Sequence, residues 1–357
     1  MNDSDLSAIS DDQLFKNWNI SLADLYLVWT KLCRENYNPH LANNLFQFLI
    51  SGVLLNIVGV LGVLGNVISM IILSRPEMKS SFNYLLMGLA RCDTILIICI
   101  MLVFGIPPIY PYTGRLFWYY NYVHAYTAPV MFPIALIAQI SSIYMTLIVT
   151  VERYVAVCHP LKARALCTYR RIKIYFIVCV CFGLIFNIPR FWEFFTVKYQ
   201  VPSTKIELLC VHASPLRKSP SYLKIYRHWC TLIINYIIPF LTLAILNSLI
   251  YRQVRRANRF RKQLSSSERH EIGLATILLV AVVAFLLLKS VALVMNISDA
   301  FYGKIYPELI NVSNLLIIIH SSINFLIYIA LGKKYRCIFV RIFFKRRVAK
   351  QDDNLYL

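Results

Sequence analysis

Glu152-Arg153-Tyr154 ends an apolar run that reaches from Leu147 to Val151, and the stretch stops soon after at His159-Pro160. An acid and a guanidinium at the edge of a bilayer are expensive unless they have a task. As a bare tripeptide the motif is a weak signal. Its place at the end of an apolar span, with basic residues after it, gives it weight. A second group lies deeper: Asn66, Asp93, Ser142 and Asn324 are polar side chains inside apolar runs, and Asp93 is the single carboxylate among them. Their oxygens suit a hard monovalent cation such as sodium, or ordered water. The same side chains also make ordinary interhelical hydrogen-bond networks, and the network is the favoured reading. Covalent chemistry has less support. His124, His159, His228, His270 and His320 are scattered, and no His/Cys/acid spacing matches a metal site, so the chain does not read as an enzyme.

The elements that must hold these residues are membrane helices. The chain is 58% hydrophobic and 15% charged, with mean hydropathy +0.59, far too apolar for a soluble protein. Runs near the ~20 residues that cross a bilayer lie at Phe46–Leu73, Tyr84–Ile106, Tyr126–Val149, Ile174–Ile188, Cys230–Ile250, Ile272–Val294 and Leu309–Leu331. The expected fold is an all-α bundle of seven transmembrane helices, with the fourth cut short by Asn187 and Pro189. Lys and Arg crowd the loops after runs one, three and five and the tail, which puts the N-terminus outside and the C-terminus inside the plasma membrane. The net charge of +20 reads as anchoring to inner-leaflet lipids; no soluble basic face is left for nucleic acid.

Residues 1–45 form an acidic outer segment without the features of a cleaved signal peptide, and Asn2 and Asn19 head glycosylation sequons there. Asn296 and Asn311 match the same pattern close to the bilayer. Residues 46–332 form the membrane domain. In residues 333–357, apolar and basic positions from Lys333 to Lys345 alternate at helical spacing, as in an amphipathic helix on the inner leaflet. Cys337 on that helix is either palmitoylated or a buried thiol.

These residues, with Pro239 and the tail helix, resemble the rhodopsin-like G-protein-coupled receptors from about Phe46 to Phe344. The stretches Asn83 to Thr94, Cys158 to Tyr169 and Asn235 to Asn247 look like the FMRFamide receptors of invertebrates. The resemblance implies a receptor for a short amidated neuropeptide that signals through a heterotrimeric G protein, with arrestin as a further partner. It implies that Glu152 restrains Arg153 until the sixth span swings outward, that Arg153 then helps floor the G-protein cavity, and that Tyr328 swings inward. Glu268 and Glu271 are candidates for an acid at the base of the sixth span. A charge pair at a low-dielectric edge fits a bistable element biased by a ligand on the far side.

The chain departs from the family pattern at several points. Phe325 stands where proline usually follows Asn324, the fourth span lacks the common tryptophan, and Asn247 stands where a tyrosine is expected. In the sixth span Lys289 takes the place of the aromatic switch and Val291 that of the kink-forming proline. A helix without proline bends less readily. A lysine at a helix centre costs about 2.5–3.5 kcal/mol unless paired, so Lys289 either faces the ligand cavity or pairs with a carboxylate.

The family disulfide needs a cysteine near Ala128, and none is there. Cys210 is then expected to bridge to Cys33, the other cysteine on the outer side; two free thiols are the alternative. Ala135 stands where amine receptors carry a carboxylate, so a peptide ligand is expected, with Gln139 one turn on. A terminal Arg-Phe-amide would want an acid and aromatic packing. Glu193 and Asp299 are the candidate acids, and Trp192, Gln139 and Lys289 complete the candidate ligand set. Two other readings stand behind this one: a divergent or weakly coupling receptor for another ligand, and a transporter that uses Asp93 and Lys289 along a path, which lacks the usual internal repeat.

Overall fold

The computed structural model describes residues 45–200, 207–259, 266–303 and 306–344. They contain seven helices long and apolar enough to cross a membrane: Leu45–Leu73, Ser81–Thr113, Tyr119–Cys158, Tyr169–Trp192, Tyr222–Arg256, Ile272–Tyr302 and Pro307–Leu331. Most run past the apolar stretch that marks them. Hydrophobicity tracks the bilayer core, whereas backbone hydrogen bonding continues into the polar flanks.

The fourth span is not cut short. Asn187 turns its side chain back onto the Gly183 carbonyl at 2.8 Å. Pro189 then enters the first turn of a tight segment, Ile188–Trp192, where its missing N–H leaves no ladder bond broken.

The third span is the axis of the bundle. Two-thirds (67%) of its apolar window is buried, against 22% for the fourth span, and the second, fourth, fifth and sixth spans all pack on it. Two of its threonine hydroxyls are satisfied locally: Thr146 and Thr150 donate to the carbonyls of Ser142 and Thr146 at 3.0 and 2.8 Å. The seventh span lies against the first, second and sixth. Close approach there needs a residue without a side chain, since a Cβ at Gly62 would stand 2.0 Å from Ser322 Oγ. Phe325 fills the space in front of Gly65 and meets Phe339 of the tail helix, with ring centroids 6.1 Å apart.

Two further elements frame the bundle. On the outer side β1 (Phe194–Gln200) pairs antiparallel with β2 (Glu207–Ala213), Phe194 opposite Ala213 and Gln200 opposite Glu207. On the inner side the tail helix, Lys333–Phe343, buries Tyr335 and Ile338 and leaves its basic residues outward. Arg341 on it donates to Glu77 at 2.7 Å.

Candidate functional site

At the inner end of the third span the Arg153 guanidinium donates through Nε to Glu152 Oε2 and through Nη2 to Oε1, each at 2.5 Å. Neighbouring helix positions do not face one another, so both side chains must turn along the helix to close this two-point bridge. Phe82 of the second span supports it, its ring centroid 4.2 Å from Arg153 Cζ. Both charges are buried, so breaking the pair without a new partner would be costly. Tyr154 points its hydroxyl to within 3.4 Å of His159 Nε2. Tyr328 is buried against Tyr335, with ring centroids 5.7 Å apart. The Tyr335 hydroxyl donates to Ser69 Oγ at 2.9 Å, and burial pushes that phenol up to about 12, so it keeps its proton. The side chains of Glu268 and Glu271 lie outside the described residues.

In the middle of the bundle Asp93 is fully buried. Ser142 Oγ donates to its Oδ1 at 2.7 Å and Asn324 Nδ2 to its Oδ2 at 3.0 Å, which ties the second, third and seventh spans. Asn66 reaches the backbone carbonyl of Ser321 at 3.1 Å rather than the carboxylate, and so ties the first span to the seventh. Lys289, expected either in the ligand cavity or beside a carboxylate, is only 2% exposed and lies within Coulomb reach of Asp93. It belongs to the polar core and cannot serve as an open ligand contact.

On the outer side the hairpin is held to the third span by polar contacts that sequence reasoning missed. Asn121, fully buried, accepts from the Leu209 amide at 3.0 Å and donates to the Glu207 carbonyl at 2.9 Å. Thr196 Oγ1 donates to the Ala125 carbonyl at 2.6 Å. Cys210, between these anchors, is buried and disulfide-bonded. Cys33, Asn2 and Asn19 lie outside the described residues.

Glu193 was expected to receive a ligand arginine, and its surroundings argue otherwise. It is fully buried. Arg190 donates to it at 3.0 Å, Tyr222 at 2.8 Å, and Arg217 Nε stands 3.8 Å away. Burial pulls the Arg217 guanidinium down from its ordinary value, and the Glu193 charge acts against that shift. This acid closes an internal ion cluster that joins the fourth span, the hairpin and the fifth span. Asp299 is partly exposed, with His228 Nε2 at 3.3 Å and Arg227 Nε at 4.0 Å. Gln139 is buried and Trp192 is 63% exposed. The two further sequons are engaged inside the bundle: Asn296 donates to the Tyr236 hydroxyl, and Asn311 accepts from Ser51, each at 3.1 Å. Among the described residues no group of three or more His, Cys, Asp or Glu could hold a metal ion.

A chain of polar contacts running down an apolar bundle, closed inside by the Glu152–Arg153 charge pair, suits the relay of a conformational state across a membrane. That is the construction of a seven-helix receptor. The profile of the 7 transmembrane receptor (rhodopsin family) matches residues 65–328, and the chain belongs to that family. It is 64% identical over 327 residues to the FMRFamide receptor of Drosophila melanogaster, covering 92% of this chain and 60% of that relative. The chain therefore spans about three-fifths of that relative's length. It is 28% identical over 331 residues to the probable G-protein coupled receptor frpr-1 of Caenorhabditis elegans, covering 86% of this chain and 83% of the other. With the FMRFamide peptide receptor frpr-18 of the same organism it shares 27% identity over 293 residues, covering 78% and 66%. Family membership removes the transporter and enzyme readings.

Proposed function

We propose that this protein is a plasma-membrane receptor for a short neuropeptide ending in Arg-Phe-amide and that it activates a heterotrimeric G protein. One observation carries the ligand class: the 64% identity to a receptor named for FMRFamide, sustained over 92% of this chain. The peptide binds on the outer side beneath the hairpin. Asp299 is the acid for its arginine, since it is partly exposed and its Arg227 and His228 contacts are long, whereas Glu193 is fully buried in its ion cluster. A disulfide from Cys33 to Cys210 pins the outer segment, which carries glycans at Asn2 and Asn19, over the mouth.

Inside, the Glu152–Arg153 bridge is the resting state of the switch. Its opening frees Arg153 for the G protein, and Tyr328 leaves Tyr335 to join the rearranged floor; arrestin competes for the same cavity. The tail helix rests on inner-leaflet lipids, with Cys337 as its palmitoylation site. A second reading, a weakly coupling receptor, is favoured by the sixth span: Ser266–Tyr302 is one α-helix without proline, and Lys289 stands in place of the aromatic switch.

Calcium release and G-protein activation in cells expressing this chain decide between the readings. The first expects responses to amidated Arg-Phe peptides and much weaker responses to their free acids. Silence to the whole peptide panel at normal surface expression would overturn it and favour the second.

A further inference from the structure

Lys289 is a buried cation in a part of the bundle that also holds a buried anion. Phe285, one turn before Lys289, packs edge-on against His320, with ring centroids 5.1 Å apart. His320 lies one turn before Asn324, whose amide donates to Asp93. The sixth-span face that carries Lys289 therefore lies on the seventh-span face that leads to Asp93. Lys289 and Asp93 are 2% and 0% exposed and act on each other electrostatically. Lys289 forms no direct ion pair among the described residues. One acceptor beside it is unpaired: His320, on which the Lys289 charge acts, makes no hydrogen bond through Nδ1.

We propose that the Lys289 ammonium is the permanent counter-cation of Asp93, and that it closes the polar core of this receptor to the sodium ion its oxygens would otherwise suit. The charge count carries the argument. Asp93 and Lys289 sum to zero, whereas a bound sodium ion would leave one uncompensated positive charge inside an apolar bundle. The donor set agrees. Both oxygens of Asp93 already accept hydrogen bonds, one from a hydroxyl and one from an amide nitrogen, and the amide face turned to the carboxylate is the one that repels a metal ion. The charge also sits on the sixth span itself. Outward motion of that helix must separate Lys289 from Asp93, so the pair holds the helix in place where the aromatic switch is missing. This inference does not depend on which peptide binds.

The test uses the purified full chain, with thermal unfolding followed in sodium chloride and in choline chloride at equal ionic strength. The wild type is expected to melt at the same temperature in both. Lys289→Met is expected to gain a few degrees in sodium, and Lys289→Met/Asp93→Asn to lose that gain. Should Lys289→Met fail to fold, Lys289→Gln carries the same expectation. A sodium shift in the wild type as large as in the Lys289 variant overturns the proposal, and so does a Lys289 variant that ignores sodium. Surface expression supplies a second arm. Asp93→Asn alone should lose most surface receptor, because it strands the ammonium, and adding Lys289→Met should restore it. Equal expression of the single and double variants would also overturn the pairing.

Discussion

Asn121 accepts a hydrogen bond from the backbone amide of Leu209 at 3.0 Å, so the outer end of the third span continues the edge of β2. The same side chain returns a bond to the Glu207 carbonyl at 2.9 Å. A primary amide carries one donor group and one acceptor in the arrangement of a peptide unit, so it can stand in for a neighbouring strand. The outer end of the third span has no cysteine to tie to Cys210; its one cysteine, Cys158, lies at the inner end. Asn121 and Thr196 place polar contacts where a covalent tie is absent.

Replacing Asn121 by Leu should therefore loosen the hairpin without unfolding the bundle. The change strands the buried Leu209 N–H, at about 1–3 kcal/mol, and leaves the Glu207 carbonyl, on an exposed residue, to water. Hydrogen exchange across Glu207–Ala213 should rise by an order of magnitude or more while the spans keep their protection, and agonist potency should fall. Unchanged exchange in β2 would show that Asn121 does not hold the hairpin.

Glu193→Gln separates a structural acid from a ligand-binding one. The substitution keeps the shape and the Tyr222 contact but leaves Arg190 and Arg217 without their counter-charge. Stranding one side of a buried ion pair costs about 3–5 kcal/mol. Surface expression should fall sharply, and Glu193→Gln/Arg217→Gln should recover part of it. A ligand contact would behave differently, with normal expression and weakened peptide response; that pattern would return Glu193 to the binding site.

Phe82 is placed to hold Arg153 in its paired state, its ring 4.2 Å from Cζ. A desolvated guanidinium–ring contact is worth about 0.5–2 kcal/mol. If the contact exists only in the resting state, Phe82→Leu should raise the active population by roughly 2- to 30-fold, read as ligand-free nucleotide exchange on the G protein. Leu keeps the apolar volume and removes the ring quadrupole. Basal exchange equal to wild type would mean that Phe82 serves packing alone.

The contrast between these residues explains what was legible beforehand. The seven spans are readable because a bilayer demands ~20 apolar residues in each, a requirement local to the sequence. Asp93, Ser142 and Asn324 attract notice because each is polar in an apolar run, and they do converge. What was hidden depends on pairing between distant segments. Glu193 looks available until Arg217 and Tyr222 arrive from beyond the hairpin. Lys289 could face either the cavity or the core, and only the rotation of the sixth helix against the seventh decides it. The hairpin itself alternates in burial along β1 except at Thr196-Val197, but its aromatic content reads equally well as an interfacial belt.

The tail helix offers a comparison of two anchors. Tyr335 is buried and donates to Ser69 Oγ, while Arg341 pairs with Glu77 at positions that are both about half exposed. Tyr335→Phe should cost about 0.5–1.5 kcal/mol, because Ser69 keeps its own bond to the Gly65 carbonyl and is not stranded. Arg341→Gln should cost less than about 1 kcal/mol, as exposed ion pairs do. Hydrogen exchange of Lys333–Phe343 should thus respond clearly to the tyrosine and weakly to the arginine. The two anchors also differ in pH. The Tyr335 phenol, pushed up to about 12, keeps its bond through the neutral range. Glu77 is held below its ordinary value, first by a backbone hydrogen bond and with help from Arg341. A depressed carboxylate stabilises the fold above its unfolded pKa and loses that contribution as pH falls through its folded one. Exchange in the tail helix should accordingly rise slightly on acidification below about pH 4.5, the ordinary carboxylate value. Arg341→Gln should flatten that part of the rise that comes from the pair, and Tyr335→Phe should leave its slope intact. The reverse pattern would move the anchor from the buried tyrosine to the exposed ion pair.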